Sequence, residues 1–500
     1  MNSRGKAAYR NIMHSTMFFG GTQVLVTLVN LVKGKLVAVI LGAAGMGLSS
    51  LLMSASGVIQ QIASLGINNA CVPEVSQANT AGDRAALLVI SRIVRAMMLI
   101  SAFAGMGLAV LLSPFTARLS VGNLTYLGSF ALLGGVVFFN ILGSGEYALL
   151  QATRQYRSIA ASTVVIPVCS LLIGIPVYYV WGMAGIAPVL VVQSLVYYLS
   201  VRWLATRSGL GGQRLPRVPL RTVWSRGRGI IMLGMTMMVA ALLGNVTVYG
   251  LSAFISNTGS MTDVGFYQAA VGITAQCSGL VFSAMATDYY PKLAGIVHTD
   301  TAGAYRLVNR QIEIVLLIIT PIAMLIILAV PFIISLLLTS EYQVIRLMLR
   351  FMGLSVIFKA LCFPMDYISF SRGDKKYFFW LEGVFLNIKM FAVFALFYHF
   401  LGLDGLGYAA LCSSAIDVSV SIVMNRWRYG FRMSRVSTAI FIRLTAIAAV
   451  CFAASFIASP ALSYGLMGAS TLLCCIYSYR QIDRRIGIRE VAVALKNRLK

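Results

Sequence analysis

Acidic residues are scarce in this chain: its 500 residues hold 15 Asp and Glu against 40 Lys and Arg. Charged residues of either sign make up only 11% of it, less than half the ~25% of a soluble globular domain. That shortage excludes a soluble fold. The 59% hydrophobic content and mean hydropathy of +0.84 point to a polytopic membrane protein. The three His (His14, His298, His399) lie far apart, and the eight Cys sit in apolar runs without metal-ligand spacing, so neither a metal centre nor a disulfide framework is expected. No G-x-x-x-x-G-K-[ST] loop occurs, which excludes ATP hydrolysis by that route. Long polar outer loops are missing too, the longest running from about Ser113 to Asn123. That argues against a membrane-bound transferase or polymerase. No cofactor is implied, and the chain is not expected to be an enzyme.

What is abundant is apolar length. A span takes about 20 mostly apolar residues, and fourteen such segments can be counted, from 15–41 and 46–73 to 436–458 and 461–479. The first exceeds the ~7–15 apolar residues of a cleavable signal peptide. With the N-terminus inside, 32 of the 40 Lys and Arg fall on cytoplasmic loops, helix feet and tails. Only Arg118 falls on an outer loop, and seven lie within spans. The positive-inside rule then predicts both termini in the cytoplasm. The net charge of +25 serves topology and contact with anionic membrane lipids, not nucleic acid.

The stretch Arg202–Arg228, with seven Arg and no acid, separates two similar apolar halves. Predicted boundaries are an N-terminal lobe of six spans (1–206), a basic linker (207–228), a C-terminal lobe of six spans (229–430), an added hairpin (431–479) and a basic tail (480–500). A repeat relates the halves. Pro73 matches Pro291, and Arg154 and Arg157 match Arg372 and Lys375, all 218 residues apart. Gly182-x-x-Gly185 matches Gly402-x-x-Gly405 at 220, and Thr80-Ala81-Gly82 matches Thr301-Ala302-Gly303 at 221. The fold expected is all-α and membrane-integral, with fourteen transmembrane helices in two parallel-repeat lobes and the binding site between them.

Three spans carry polar or small residues at helical spacing. The first has Thr16, Gly20, Gln23, Thr27, Asn30 and Gly34. The second has Ser50, Ser54, Gly57, Gln61, Ser64 and Asn68, and the eighth has Gln268, Gly272, Gln276, Gly279, Ser283 and Thr287. Close helix packing selects Gly and Ser as well, but repeated Gln and Asn favour a wet cavity. Charges inside a span cost about 2.5–3.5 kcal/mol each on insertion scales and default to functional hypotheses. Lys33 flanks the first stripe, whereas Lys35 suits a headgroup contact. Arg346 and Arg350 share one face of the tenth span and suit a phosphate, a sugar acid or lipid headgroups, while Lys359 lies about half a turn away. Glu313 is expected to pair with Arg310. Lys389 and Asp417 fall at matching depth in the eleventh and twelfth spans and are expected to pair, as a structural bridge or as a switch coupled to ion or proton movement.

The segments VKGKLVAVILGAAGMGLSSLLMSASGVIQQIASLGINNA (32–70), FSAMATDYYPKLAGI (282–296) and ISFSRGDKKYFFWLEGVFLN (368–387) resemble bacterial O-antigen and oligosaccharide flippases. These form the polysaccharide-transport branch of the multidrug/oligosaccharidyl-lipid/polysaccharide exporter superfamily. The resemblance implies two six-helix lobes in the cytoplasmic (inner) membrane and a central cationic cavity. Its implied cargo is a lipid-diphosphate-linked oligosaccharide moved to the outer leaflet for surface polysaccharide, with glycan polymerase or assembly proteins as further partners. It also implies that the last two helices, Met433 to Tyr479, form a groove for the lipid tail. The candidate cavity residues are Gln23, Asn30, Lys33, Gln61, Asn68, Gln268, Gln276, Arg346, Arg350 and Lys359. One rival is the multidrug-exporter branch, which is expected to keep acids in the N-terminal lobe; another is a membrane-bound enzyme of glycan assembly.

Overall fold

A computed structural model describes the backbone of residues 3–210 and 220–486. Side chains are described throughout these, except at 3–24, 156, 220–226, 236, 240, 280, 284–288 and 486. All regular structure among the described residues is helical. Residues 211–219 of the basic linker, residues 487–500 of the tail, and the side chain of Gln23 lie outside them.

The chain divides into two compact units, Met1–Gly265 with Leu337–Thr339, and Phe266–Leu336 with Ser340–Lys500. Unit 1 holds α1 (Ser3–Ser64), α2 (Ile67–Thr80), α3 (Arg84–Val121), α4 (Leu127–Ala152), α5 (Tyr156–Trp181), α6 (Ile186–Ala205) and α7 (Leu220–Thr258). Helix α7, the seventh expected span, packs on α1, α2 and α3 within this unit. Unit 2 holds most of α8 (Met261–Ile296), then α9 (Thr301–Leu337), α10 (Arg346–Ser371), α11 (Lys375–Phe378), α12 (Leu386–Tyr429), α13 (Arg435–Ala454) and α14 (Pro460–Ile486). Residues Phe379–Phe385 wind as π-helix and join α11 to α12 in one rod.

Among the described residues eight helical segments are long and apolar enough to cross a membrane, and a bent pair within α7 makes up to nine. Two of them, Arg157–Leu210 and Lys375–Tyr429, have 54 and 55 residues. At ~1.5 Å per residue each is roughly 80 Å long, far more than a ~30 Å hydrocarbon core needs. Both fold back at a glycine in a backbone region that side chains avoid: Gly182 (φ 55°, ψ −133°) and Gly402 (φ 61°, ψ −143°). Three residues on, Gly185 and Gly405 make the return possible. A Cβ there would sit 3.1 Å from the Val177 carbonyl oxygen or 2.1 Å from that of Phe397. Both glycines and both carbonyls are 220 residues apart, as the sequence repeat predicts.

The repeat reaches the hydrogen bonds. In unit 1 the amides of Thr153, Arg154 and Gln155 donate to the carbonyls of Leu149, Gln151 and Leu150. In unit 2 those of Arg372, Gly373 and Asp374 donate to Ile368, Phe370 and Ser369. The same turn recurs at a spacing of 219 residues, one more than the arginine match suggested. The Thr-Ala-Gly match does not survive. Thr80-Ala81-Gly82 precedes α3, whereas Thr301-Ala302-Gly303 forms the first turn of α9. The equivalent residues are the acids at those helix starts: Asp83 accepts from the Ala86 amide at 2.9 Å and Asp300 from that of Gly303 at 2.7 Å. A side-chain oxygen at this place satisfies an amide that the helix itself leaves unpaired, so the caps identify the repeat where small residues mislead.

Two other expectations change. Helix α3 continues to Val121 through Pro114, so most of the expected outer loop Ser113–Asn123 is helical. The stripe expected on the second span is broken at Leu65 and Gly66, both with positive φ, which leaves Ser50–Ser64 on α1 and Asn68 on α2. Each unit is held by its own apolar contacts: Leu48, Leu52, Phe130 and Leu133 are among those in unit 1, and Val308, Leu316, Ile357 and Leu361 in unit 2. Large apolar side chains such as Leu111 and Phe400 remain exposed. Lipid tails are as apolar as these side chains, so close packing rather than escape from water holds such helices together.

Candidate functional site: buried charges in each unit

Unit 1 contains one buried acid among its described residues, Glu146 on α4, only 4% exposed. Arg95 of α3 grips both its oxygens, Nε to Oε1 at 2.8 Å and Nη2 to Oε2 at 2.9 Å. Arg202 of α6 adds a third bond, Nη1 to Oε1 at 2.5 Å. Arg95 also donates to the Leu210 carbonyl at 3.0 Å, tying the start of the linker to the same strut. Two fixed cations and a full set of hydrogen bonds make this a structural clamp.

Unit 2 builds the corresponding place differently. Asp366 on α10 accepts a hydrogen bond from the Ser421 hydroxyl of α12 at 2.7 Å. Ser421 stands 219 residues after Arg202, the spacing of the shared turn, and Asp366 stands 220 after Glu146. A hydroxyl therefore replaces a guanidinium. Asp366 lies within electrostatic reach of Glu382 and Asp417, and Glu382 within reach of Asp417 and Lys389. Lys389 and Asp417 form the ion pair expected from their depth, and Lys389 Nζ also donates to the Ser413 carbonyl at 3.2 Å. Lys359 of α10 completes the group, within reach of Asp417 and Lys389. It is solvent-accessible yet densely surrounded by protein atoms, as in a narrow cleft. Three carboxyls face two ammonium groups, so with all ionised the cluster carries one uncompensated negative charge. One proton would neutralise it. No group of His, Cys, Asp or Glu able to hold a metal ion occurs among the described residues.

Asp366 and Glu382 were missed in the sequence, though a signal was present. Lys359 and Asp366 are seven residues apart, as are Glu382 and Lys389, while Ser413, Asp417 and Ser421 follow at steps of four. These spacings each put a polar set on one helix face.

The other candidates separate. Lys33 and Asn30 are half-buried on α1, and Lys33 has no carboxylate partner among the described residues. Gln61 (α1) and Asn68 (α2) are half-buried in unit 1, and Gln268 and Gln276 are half-buried on α8. The Gln276 side-chain oxygen is buried without a hydrogen-bond partner among the described residues. Arg346 is exposed and bonds Gln343, while Arg350 donates to the Ser455 carbonyl at 3.0 Å, at the turn after α13. Glu313 does not pair with Arg310. It accepts from Ser437 at 3.0 Å and Arg485 at 2.9 Å, which fastens α13 and α14 to α9. A pair with Arg310 would stay within α9, whereas these bonds join three helices.

This helical plan is the fold of the multidrug/oligosaccharidyl-lipid/polysaccharide exporter superfamily. Among solved structures it is similar to the lipid II flippase MurJ in an inward closed conformation (TM-score 0.70, 11% identity, 94% of this chain and 99% of that one). It is also similar to an inward-facing multidrug-resistance MATE transporter of that superfamily (0.68, 16%, 83% and 95%). A third is the Vibrio cholerae MATE transporter VcmN (0.57, 15%, 86% and 100%). No curated protein matches by sequence. The family model described as polysaccharide biosynthesis protein matches residues 36–347, well over half of the chain. The chain belongs to that family.

Proposed function

We propose that this protein is a flippase that moves a polyprenyl-diphosphate-linked oligosaccharide from the cytoplasmic to the outer leaflet of a bacterial inner membrane, by alternating access, for surface polysaccharide assembly. Both termini are cytoplasmic in this reading. The observation that carries it is the charge of unit 1. Among the described residues its one buried acid is consumed by Arg95 and Arg202, while Lys33 is half-buried with no carboxylate beside it. An uncompensated ammonium there attracts an anion. At 4 Å and an effective dielectric near 20 one charge pair is worth about 4 kcal/mol, and a diphosphate brings more than one negative charge. A cationic drug would meet repulsion at the same place, which disfavours the multidrug-exporter reading.

In this proposal Lys33, Asn30, Gln61 and Asn68 serve the substrate within unit 1; within unit 2 the candidates are Gln268, Gln276 and Lys359. Arg346 and Arg350 are left out, because Arg350 is bonded to the last hairpin. The Lys389–Asp417 pair is a structural bridge, and the charge left over on Asp366 and Glu382 is the one that takes up a proton. Lys33→Ala is expected to abolish delivery of lipid-linked glycan to the outer leaflet at unchanged protein level, read by labelling sugars accessible on intact spheroplasts. Unchanged delivery would remove Lys33 from the site.

A further inference from the structure

A groove of about 690 Å³ runs along unit 2 between the α11–π segment and the last turns of α12. Its walls are almost wholly apolar, with Phe385 at one end, Val423 midway and Trp380 and Trp427 towards the other end. These four are 43, 61, 65 and 77% exposed, so nothing among the described residues covers the groove. Lys376 and Arg428 close the Trp-lined end. Lys376 has no carboxylate partner among the described residues, and Arg428 bonds Asp374 at 3.0 Å while its side chain stays 51% exposed.

Position and length identify the occupant. The rod from Lys375 to Tyr429 turns back at Gly402, so Lys376 and Arg428 lie at the same membrane face. Exposed Trp beside basic residues is what a headgroup layer selects. From Lys376 to Phe385 is nine residues, at most about 14 Å at the α-helical rise and somewhat less because Phe379–Phe385 wind as π-helix. That matches one leaflet, half of a ~30 Å hydrocarbon core. A partner helix would need an apolar face spanning both leaflets. We propose that the groove binds a phospholipid with an anionic headgroup, one acyl chain lying along Val423 and Phe385 and the headgroup phosphate on Lys376 and Arg428. The site is independent of what the protein transports.

Brominated lipids test it by quenching tryptophan. With Trp181, Trp203 and Trp224 replaced by Phe, the fluorescence of the purified full chain in nanodiscs reports only Trp380 and Trp427. Brominated phosphatidylglycerol is expected to reach half-quenching at about fivefold lower mole fraction than brominated phosphatidylcholine, the preference one basic residue gives at a charged surface. Lys376→Glu should erase that preference, and Val423→Phe, at an exposed position, should weaken quenching by filling the groove. Equal curves for the two lipids, or a preference that survives Lys376→Glu, would overturn the assignment. So would displacement of the phosphatidylglycerol by unbrominated polyprenyl phosphate at low mole fraction, which would give the groove to a substrate-like chain.

Discussion

Glu146 and Asp366 occupy corresponding places, six and five residues before the ends of α4 and α10, each ahead of the same hydrogen-bonded turn. Glu146 meets two arginines, whereas Asp366 meets a serine hydroxyl and has two further carboxylates nearby. The difference teaches how one helical plan serves two purposes. An acid matched by fixed cations ties helices together and has nothing to exchange. An acid with no cation of its own has a charge that a proton can remove, and intramembrane ionisable groups of that kind mark relays and coupling sites. The asymmetry lies in side chains on a shared backbone: the π segment that carries Glu382 belongs to unit 2, but the turn before it is common to both.

The sharpest way to break this contrast is to remove the clamp. Glu146→Ala leaves Arg95 and Arg202 with no counter-charge. Losing one partner of a buried ion pair typically costs ~3–5 kcal/mol, and the 4% exposure of Glu146 places it in that class. The expected outcome is a large drop in the thermal midpoint of the purified protein. If Glu146→Ala is as stable as wild type, the clamp is not a strut and the two acids are more alike than argued.

The Lys389–Asp417 bridge comes next. Its side chains are 8 and 25% exposed, and Lys389 keeps the Ser413 carbonyl if Asp417 is lost. Asp417→Asn should therefore cost less than Glu146→Ala, near the lower end of ~3–5 kcal/mol. The double replacement Lys389→Met with Asp417→Leu should recover most of the stability and also the transport. A stable but inactive double variant would move the coupling role onto this pair and away from Asp366 and Glu382.

The Lys389–Asp417 bridge was legible in the sequence, since depth within a hairpin can be counted from its turn. The glycine turns at 182 and 402 were legible as a Gly-x-x-Gly pair repeated at 220 residues. The Asp366 site was not read, because its neighbours come from three stretches that only tertiary packing brings together. Glu313 misled for the opposite reason. Arg310, three residues before it in the sequence, suggested a local pair, but Arg485, 172 residues later, provides the actual one. Lys33 was legible as a charge in a span, but its lack of a carboxylate neighbour is a statement about packing.

The smallest effect is expected where the two units differ by one helix cap. Gln155 starts α5 with no side-chain cap bond, and Asp374 starts α11 by accepting from the Tyr377 amide at 3.3 Å. Burial raises the Asp374 carboxyl, but the Tyr377 amide, Arg428 and the Tyr429 hydroxyl outweigh it and hold it below the usual carboxylate range. A carboxyl with a depressed folded pKa contributes stability that is complete above its unfolded value, ~3.9, and lost as pH falls through the folded value. The start of α11 should therefore be protected alike at pH 7 and pH 5 and lose protection only below about pH 4. Gln155 has no charge to lose, so the start of α5 should show no such step. Hydrogen exchange at the two helix starts, corrected for the intrinsic pH dependence of exchange, reads this directly. Asp374→Asn should flatten the acid step in unit 2, since an amide oxygen can still cap the helix. A step that persists in Asp374→Asn, or one of equal size at Gln155, would show that the acid sensitivity arises elsewhere in the fold.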